Sequence, residues 1–357
     1  MTLNIFIVSL IALAAAIIFC RAMIAVGLMD SPINARKREA QKSAVPSSGG
    51  VGFLAAIPVG LACVPASPFN DPALLGLSVG ALAMMLVGLS DDLWDINAKI
   101  KLGLQLAICV AIVFSGVYIE SLEPGFGKIR TFGPVIGGVL ALCWMLLLVN
   151  AVNFMDGANG VSMGMAMFAS MGFCAITAFI GEWEIALAAA GLTGALLGFL
   201  IWNVAGKLFA GDAGSLAVGV LLAGFSILLI KARPDFVWIP PILLSPFLVD
   251  VLLTLNYRVK KGENFWEAHS QHVYQLGLKP PLLLKHWQVA VGHWMIAANC
   301  AALAFAGAII GYEAPLVIFI GVALLGCWMH VRIRRAAIAV GMLDVPKATS
   351  EIQDAAE

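Results

Sequence analysis

The stretch GPVIGGVLALCWMLLLVNAVNFMDGANG, residues 133–160, decides the fold class of this chain. Residues 133–149 carry no charge and approach the ~20 apolar residues that an α-helix needs to cross a hydrocarbon core of ~30 Å. Asn150, Asn153, Asp156 and Asn159 then follow at intervals of three residues. This stretch predicts a membrane-spanning helix that ends in a polar loop.

The same pattern recurs along all 357 residues, of which 61% are hydrophobic and 12% are charged. Soluble domains carry roughly 25% charged residues, so the composition excludes a water-soluble globular protein and a disordered chain. A formal net charge of zero argues against a nucleic acid partner. We predict an all-α polytopic membrane bundle of about 11 transmembrane helices, near residues 3–20, 50–66, 73–90, 100–119, 133–149, 161–181, 185–203, 214–231, 236–255, 287–310 and 315–331. Pro240, Pro241 and Pro246 should kink the ninth span.

Charge sets the predicted orientation, because Lys and Arg accumulate in cytoplasmic loops. Seventeen of the 21 Lys and Arg residues fall in loops on one predicted face, so the N-terminus is expected outside and the C-terminus in the cytoplasm. Residues 1–335 form one transmembrane catalytic domain in this interpretation, and residues 336–357 form a cytoplasmic tail. The cytoplasmic loops that carry the motifs below are residues 30–49, 90–99, 150–160, 204–215 and 256–286.

Four polar motifs fall on that same face. They are GLSDDLWD with Asp91 and Asp92, NAVNFMDGANG with Asn150 and Asp156, FAGDAGS with Asp212, and EAHSQHVYQ with His269 and His272. Adjacent carboxylates repel unless a cation or a proton intervenes, and carboxylates commonly hold Mg²⁺ against phosphate oxygens. The first three motifs also have a plain structural explanation as a helix cap or a helix end, and a histidine is more often structural than a ligand. Their gathering on one face favours a single site.

Taken together, the motifs resemble the polyprenyl-phosphate N-acetylhexosamine-1-phosphate transferases of bacterial cell envelopes. DDLWD, NAVNFMDGANG, FAGDAGS and LVDVLLTLNYR with GENFWEAHSQHVYQ stand in the order of that family. The likeness is greatest to the branch that starts O-antigen and related glycans. The chain departs from the usual pattern at Asn159, where many relatives have Asp, and at Ser47 and Ser270, where Arg is usual.

The resemblance implies transfer of a HexNAc-1-phosphate from a UDP-sugar to undecaprenyl phosphate at the cytoplasmic face of the bacterial inner membrane. It implies a Mg²⁺ cofactor, with Mn²⁺ as the alternative, and a homo-oligomer or downstream glycosyltransferases as partners. The catalytic residues would be Asp91, Asp92, Asp156 and Asp212, and the metal ligands Asp212, Asp156 and Asp92. Asp91 and Asp92 both stay open as second ligand or general base. The substrate would be bound by Asn150, Asn153, Arg258, His269, His272, Arg36 and Lys42, the last two meeting the acceptor lipid.

A secondary transporter of a sugar or an ion is the alternative class. Such a protein is expected to have broken helices in two corresponding halves and polar residues near the bilayer midplane. Asp250 is the only charged side chain that lies mid-span, and the two halves show no similarity. The absence of a G-x-x-x-x-G-K-[ST] loop disfavours a nucleotide hydrolase, and a scaffold protein would not need four phosphate-type loops. The motifs therefore favour an enzyme.

Overall fold

The computed structural model describes residues 1–28, 45–65, 70–263 and 270–343. Its helices are α1 (Thr2–Val26), α2 (Gly49–Leu61), α3 (Pro72–Trp94), α4 (Ala98–Phe114), α5 (Pro134–Phe154), α6 (Val161–Ile180), α7 (Trp183–Val204), α8 (Gly211–Ala232), α9 (Ile239–Leu243), α10 (Ser245–Lys261), α11 (Val273–Leu278), α12 (His286–Ile310) and α13 (Ala314–Ala339). A short antiparallel pair, β1 (Ser121–Leu122) and β2 (Arg130–Thr131), joins α4 to α5, with Ser121 opposite Thr131.

The prediction of an all-α polytopic membrane protein is confirmed. Within the described ranges, eight helices are long and apolar enough to cross a membrane, or nine if one broken pair is a single span. The count of eleven is not confirmed by length, because α2 has 13 residues and α4 has 17. At 1.5 Å per residue, a helix of 13 residues reaches only about 20 Å.

The broken span confirms the predicted kink. The segments Pro234–Leu243 and Ser245–Lys261 meet at an angle of 72°. Pro240, Pro241 and Pro246 lack a backbone N–H, so the helical hydrogen-bond ladder cannot continue through them. The second segment, α10, therefore leaves the break in a new direction and carries Asp250 and Arg258 toward the polar motifs.

Helix α8 is the centre of the bundle and is enclosed by protein along its whole apolar length. Small residues allow the close approach of its neighbours: Gly214 touches Gly50 of α2, and Gly219 lies against Val149 of α5. Without Cβ atoms at these positions the backbones pack closely, as is typical of helices in membranes. Helices α1 and α13 lie at the periphery, where large apolar side chains such as Phe6 and Leu324 are exposed. This arrangement fixes the first turn of α8 at the middle of one end of the bundle.

The two ends of the bundle differ in their contacts. At the hairpin end, defined by β1 and β2, Lys231 pairs with Glu120 at 2.8 Å and Trp238 donates to the carbonyl of Pro124 at 2.8 Å. At the motif end, defined by Asp92, Asp212 and His272, the N–H of Ser47 donates to the carbonyl of Leu28 just after α1, and the N–H of Asp212 at the start of α8 donates to Asp92. Successive long helices run alternately between the two ends.

Candidate active site

An ammonium group bridges two carboxylates at the motif end. Lys101 Nζ lies 2.8 Å from Asp91 Oδ2 and 2.7 Å from Asp212 Oδ2. The three side chains come from the last turn of α3, the first turn of α4 and the first turn of α8. Asp91 is buried, whereas Lys101 and Asp212 keep 19% of their side-chain surface exposed, so the bridge opens toward solvent on one side. We name Asp91, Lys101 and Asp212 the carboxylate–lysine bridge.

A tight turn between α3 and α4 places Asp91 and Lys101 together. Asp95 follows the last residue of α3 and caps that helix in the left-handed conformation. Asn97 then caps α4 by accepting a hydrogen bond from the N–H of Lys99. The N–H of Ile96 donates to Asp91 Oδ1 at 2.9 Å. The short turn brings α4 back beside the helix it has just left, so Lys101 reaches the acidic motif from the next helix.

Asp92 contacts different groups from Asp91, because both of its carboxylate oxygens face the start of α8. The N–H of Asp212 donates to Asp92 Oδ1 at 3.0 Å, and the N–H of Ala213 lies 3.3 Å from Oδ2. A helix N-terminus leaves such donors without intrahelical partners and carries partial positive charge. Asp92 therefore anchors the first turn of α8 and holds Asp212 in place.

Glycines make this packing sterically possible. Gly211 has φ +70°, and a Cβ there would collide with the carbonyl oxygen of Ser47 and with Asp92 Oδ2. A Cβ at Gly88 of α3 would collide with the carbonyl of Asp212. The glycine flanking Asp212 in FAGDAGS is thus explained by close packing of α3 and the early segment against α8.

The segment before α2 closes one side of the site. This segment and the first turn of α2 pair with the chain before α8, since Phe209 N–H donates to the carbonyl of Pro46 and Gly50 N–H donates to that of Ala210. Ser48 is 1% exposed, and its hydroxyl has no hydrogen-bond partner among the described residues. The early loop therefore ends beside Asp212, although Arg36 and Lys42, predicted to meet the acceptor, lie outside the described residues.

The amides of NAVNFMDGANG contact neighbouring helices. Asn153 Nδ2 donates to Ser215 Oγ at 2.9 Å, one turn along α8 from Asp212. Asn150 Nδ2 donates to Gln105 Oε1 of α4 at 3.1 Å. These hydrogen bonds bring the end of α5 beside the carboxylate–lysine bridge, and Asp156 follows directly after that helix.

The histidine motif joins the same end through α11. His272 caps this helix and forms a capping box with Gln275, and its ring stacks 6.3 Å from the ring of Phe154. Tyr274 donates to the carbonyl of Phe154 at 3.2 Å. Burial, together with the charges of Asp156 and Asp250, raises the pKa of Tyr274, so its hydroxyl stays protonated and can donate. His272 and Asp156 therefore lie on adjoining segments, whereas His269 lies outside the described residues.

Arg258, a substrate-binding candidate, forms an ion pair with Glu263. It is buried in the last turn of α10, and its Nε lies 3.1 Å from Glu263 Oε2. Lys261 contacts the same carboxylate at 2.9 Å. This pairing partly neutralises the basic stretch that leads into the histidine motif.

No group of three or more His, Cys, Asp or Glu side chains in the described ranges is arranged to enclose one metal ion. The predicted ligands Asp212, Asp156 and Asp92 are thus not a preformed three-ligand cage. Mg²⁺ is, however, commonly held by one or two carboxylates together with substrate phosphates. The carboxylates of Asp91 and Asp212, which approach one ammonium from two helices, fit that mode of binding.

The sequence interpretation missed Lys101 and Ser215 as members of the site. Lys101 counts in the sequence only as a cytoplasmic charge, and Ser215 only as a small residue of FAGDAGS. A Lys in the first turn of a span that directly follows an acidic motif was the available signal. Both residues belong to the site because they pair with side chains of other helices, and a pattern along one helix does not reveal such pairs.

Comparison with known proteins agrees with these motifs. Residues 74–230 match the family model described as glycosyl transferase family 4. The chain is 31% identical over 281 residues to a phospho-N-acetylmuramoyl-pentapeptide-transferase of Shouchella clausii, covering 73% of this chain and 82% of that protein. It is 26% identical over 273 residues, 75% of each protein, to a probable undecaprenyl-phosphate N-acetylglucosaminyl 1-phosphate transferase of Bacillus subtilis. A Streptomyces griseus phospho-N-acetylmuramoyl-pentapeptide-transferase is 31% identical over 309 residues, with 72% and 83% coverage. This chain therefore belongs to glycosyl transferase family 4, among the polyprenyl-phosphate sugar-phosphate transferases.

Proposed function

We propose that this enzyme transfers a HexNAc-1-phosphate from a UDP-sugar to undecaprenyl phosphate and so initiates a cell-envelope glycan of the O-antigen type. An oxygen of the acceptor phosphate attacks the β-phosphorus of the donor, and the bond between that phosphorus and the bridging oxygen breaks. The products are undecaprenyl-diphosphate-HexNAc and UMP. The observation that carries the proposal is the carboxylate–lysine bridge at the motif end of a chain of this family.

The charges of the bridge suit a reaction between two anions. Phosphoryl transfer depends mainly on alignment and on neutralisation of charge, and an acceptor phosphate needs little help from a base. Lys101 offers a cation to phosphate oxygens, and Asp212 with Asp91 offers oxygen ligands to Mg²⁺, with Mn²⁺ as the alternative. When bound, the metal would neutralise the donor diphosphate.

The remaining roles follow from the positions of the side chains. Asp91 is the better candidate for second ligand or base, since both oxygens of Asp92 meet backbone N–H groups of α8. We assign Asn153 and Asp156 to the nucleotide and diphosphate, and His272 to the donor phosphates. Asn150, Arg258, His269, Arg36 and Lys42 keep their predicted substrate-binding roles as part of this proposal.

An apolar groove supports a lipid acceptor. It has a volume of about 300 Å³, opens between α2 and α3, and is lined by residues such as Val51, Leu61 and Leu77. Its lining reaches Met85, six residues before Asp91 on the same helix, which is about 9 Å along the axis. An isoprenoid chain in this groove would have its phosphate near the carboxylate–lysine bridge.

A broken helix and the buried Asp250 are also features expected of a secondary transporter. Asp250, however, accepts hydrogen bonds from Thr254 and from the backbone of Val273 at the motif end. The carboxylate therefore contributes to the local structure around His272, which favours the enzyme.

We further propose eleven crossings of the bacterial inner membrane, with the motif end in the cytoplasm and the N-terminus outside. The alternating directions of the long helices, with α2 and α4 as short crossings, support this topology. The transmembrane catalytic domain would then comprise residues 1–335. Residues 336–339 continue α13, and the rest of the predicted tail to residue 357 would lie in the cytoplasm.

Cysteine labelling tests the topology. In a cysteine-free background, single cysteines at the exposed positions Asn97, Ala205 and Ser270 should be protected in intact cells from an impermeant thiol reagent. Cysteines at Glu182 and Tyr312, exposed at the opposite end, should react. Permeabilised cells control for reactivity, since all five should then be labelled. Labelling of Ala205 and Glu182 from the same side would contradict a single cytoplasmic site.

The activity itself is tested with purified protein, UDP-GlcNAc, undecaprenyl phosphate and Mg²⁺. We expect a lipid-linked product and an equal amount of UMP, and neither in the presence of excess EDTA. Other UDP-HexNAc donors in parallel reactions identify the preferred sugar. Lipid product without UMP, or full turnover in EDTA, would contradict the proposed reaction or its metal requirement.

A further inference from the structure

Two buried polar side chains distinguish α13 from α1, the other peripheral helix. Helix α13 mostly exposes apolar side chains, yet His330 is 4% and Arg334 is 5% exposed. Burying a guanidinium is costly unless it is paired and hydrogen-bonded. The buried guanidinium of Arg334, on a helix that lies beyond every sequence motif, therefore needs partners from the rest of the protein.

Arg334 joins α13 to the segment that carries His272. Its Nη2 donates to Thr254 Oγ1 of α10 at 2.6 Å and to the carbonyl of Gln271 at 2.7 Å. Its guanidinium lies over the ring of Tyr257, 4.5 Å from the centroid. The planar fork of Arg makes such simultaneous contacts, whereas the single ammonium of Lys does not reproduce them.

Asp250 holds the other side of His272. The N–H of Val273 donates to Asp250 Oδ2 at 3.0 Å, and His272 Nδ1 lies 3.4 Å from Oδ1. Thr254 connects the two groups, because its hydroxyl lies 2.9 Å from Asp250 Oδ1 and also accepts from Arg334. The peptide group before His272 is therefore held by Arg334, through the carbonyl of Gln271, and the one after it by Asp250, through the N–H of Val273.

His330 completes the cluster. Its Nε2 lies 3.3 Å from Arg334 Nε and 3.6 Å from Asp250 Oδ1. Apolar packing of Leu276 against Ala337 and Leu343 continues the contact between α11 and the end of α13. Residues 271–276, which include His272, thus pack against α13.

We propose that Arg334, acting with Asp250, is a positioning residue that fixes the backbone around His272 so that this histidine meets the donor phosphates. This inference rests on the proposed function for the role of His272. The contacts of Arg334 with the carbonyl of Gln271 and of Asp250 with the N–H of Val273, which we call the clamp, stand independently of it. Removing the guanidinium leaves the carbonyl of Gln271 without a buried donor, so the segment should open locally.

Purified Arg334→Met tests the proposal, with Arg335→Met as the matched control because Arg335 is the exposed neighbour. We expect at least a tenfold higher KM for the UDP-sugar, with the KM for undecaprenyl phosphate changed less than twofold. Hydrogen–deuterium exchange should accelerate in residues 271–276 of the variant and stay unchanged in the first turns of α8. Arg335→Met should behave as the wild type in every measurement.

A purely structural role predicts a different result, namely a lower kcat with both KM values unchanged, and that result would overturn the proposal. Unchanged exchange in residues 271–276 would overturn it as well. If Arg334→Met does not insert, Arg334→Lys, which keeps the charge and loses the fork, should show the same split between the two KM values. An inactive wild type would refute the proposed function, and the exchange measurement would still decide whether the clamp exists.

Discussion

Asp212→Asn is expected to lower kcat at least 100-fold while the protein inserts and purifies in normal yield. Loss of one group that stabilises the charge of a transition state typically costs 10²–10³ in rate, about 2.7–4 kcal/mol, as measured for a single oxyanion-hole donor. The substitution keeps the size of the side chain, and Lys101 retains Asp91 as its partner. The effect should therefore fall on turnover and not on folding.

The matched control for this variant is Asp235→Asn at the hairpin end, where the carboxylate pairs with Arg233 at 2.6 Å. Its kcat should be within twofold of the wild-type value. The dependence of the rate on Mg²⁺ concentration gives a second comparison. If Asp212 is a metal ligand, its loss also changes the Mg²⁺ concentration that gives half-maximal activity. A rate for Asp212→Asn within threefold of the wild type would remove Asp212 from the reaction.

Lys101→Met is expected to lower kcat/KM about 100-fold, a loss of about 2.7 kcal/mol of transition-state stabilisation. Without the ammonium, the carboxylates of Asp91 and Asp212 face each other with no cation between them. The two carboxylates then repel each other, and the phosphates of the two substrates lose a positively charged partner. Both effects oppose the binding of anions at the motif end.

Lys99→Met is the control for this variant, because Lys99 is exposed two positions away on the same helix. The double variant Lys101→Met with Asp91→Asn separates the two effects. Removing one carboxylate should relieve the repulsion and raise the thermal midpoint above that of Lys101→Met, but it should not restore the rate. Full recovery of activity in the double variant would show that Lys101 acts only through charge balance in the fold.

The elements that were predictable from the sequence are those set by local patterns. The apolar run before Asn150 predicts α5, and the three prolines predict the break before α10, because spans and proline kinks depend on neighbouring residues alone. The gathering of Asp91, Asn153, Asp212 and His272 at one end was also predictable, since the spans alternate between two faces.

Contacts between distant helices could not be predicted in the same way. Arg334 carries no local signal, and Lys101 carries only its place in the first turn of a helix that follows an acidic motif. The roles of both appear only when α4 and α13 pack against α8 and α10. The two aspartates of DDLWD are adjacent in sequence but meet different groups, Asp91 an ammonium and Asp92 a helix N-terminus. That difference arises from the orientation of the last turn of α3 relative to α8.

The central claim, transfer of a sugar phosphate to a lipid phosphate, is tested most directly with a doubly labelled donor. UDP-GlcNAc carrying ³²P at the β-phosphate and ¹⁴C in the sugar is incubated with purified wild-type protein and undecaprenyl phosphate. We expect both labels to enter the lipid fraction in equal amounts, with UMP as the released nucleotide. Entry of the sugar label alone, with ³²P retained in UDP, would show simple glycosyl transfer and contradict the assignment.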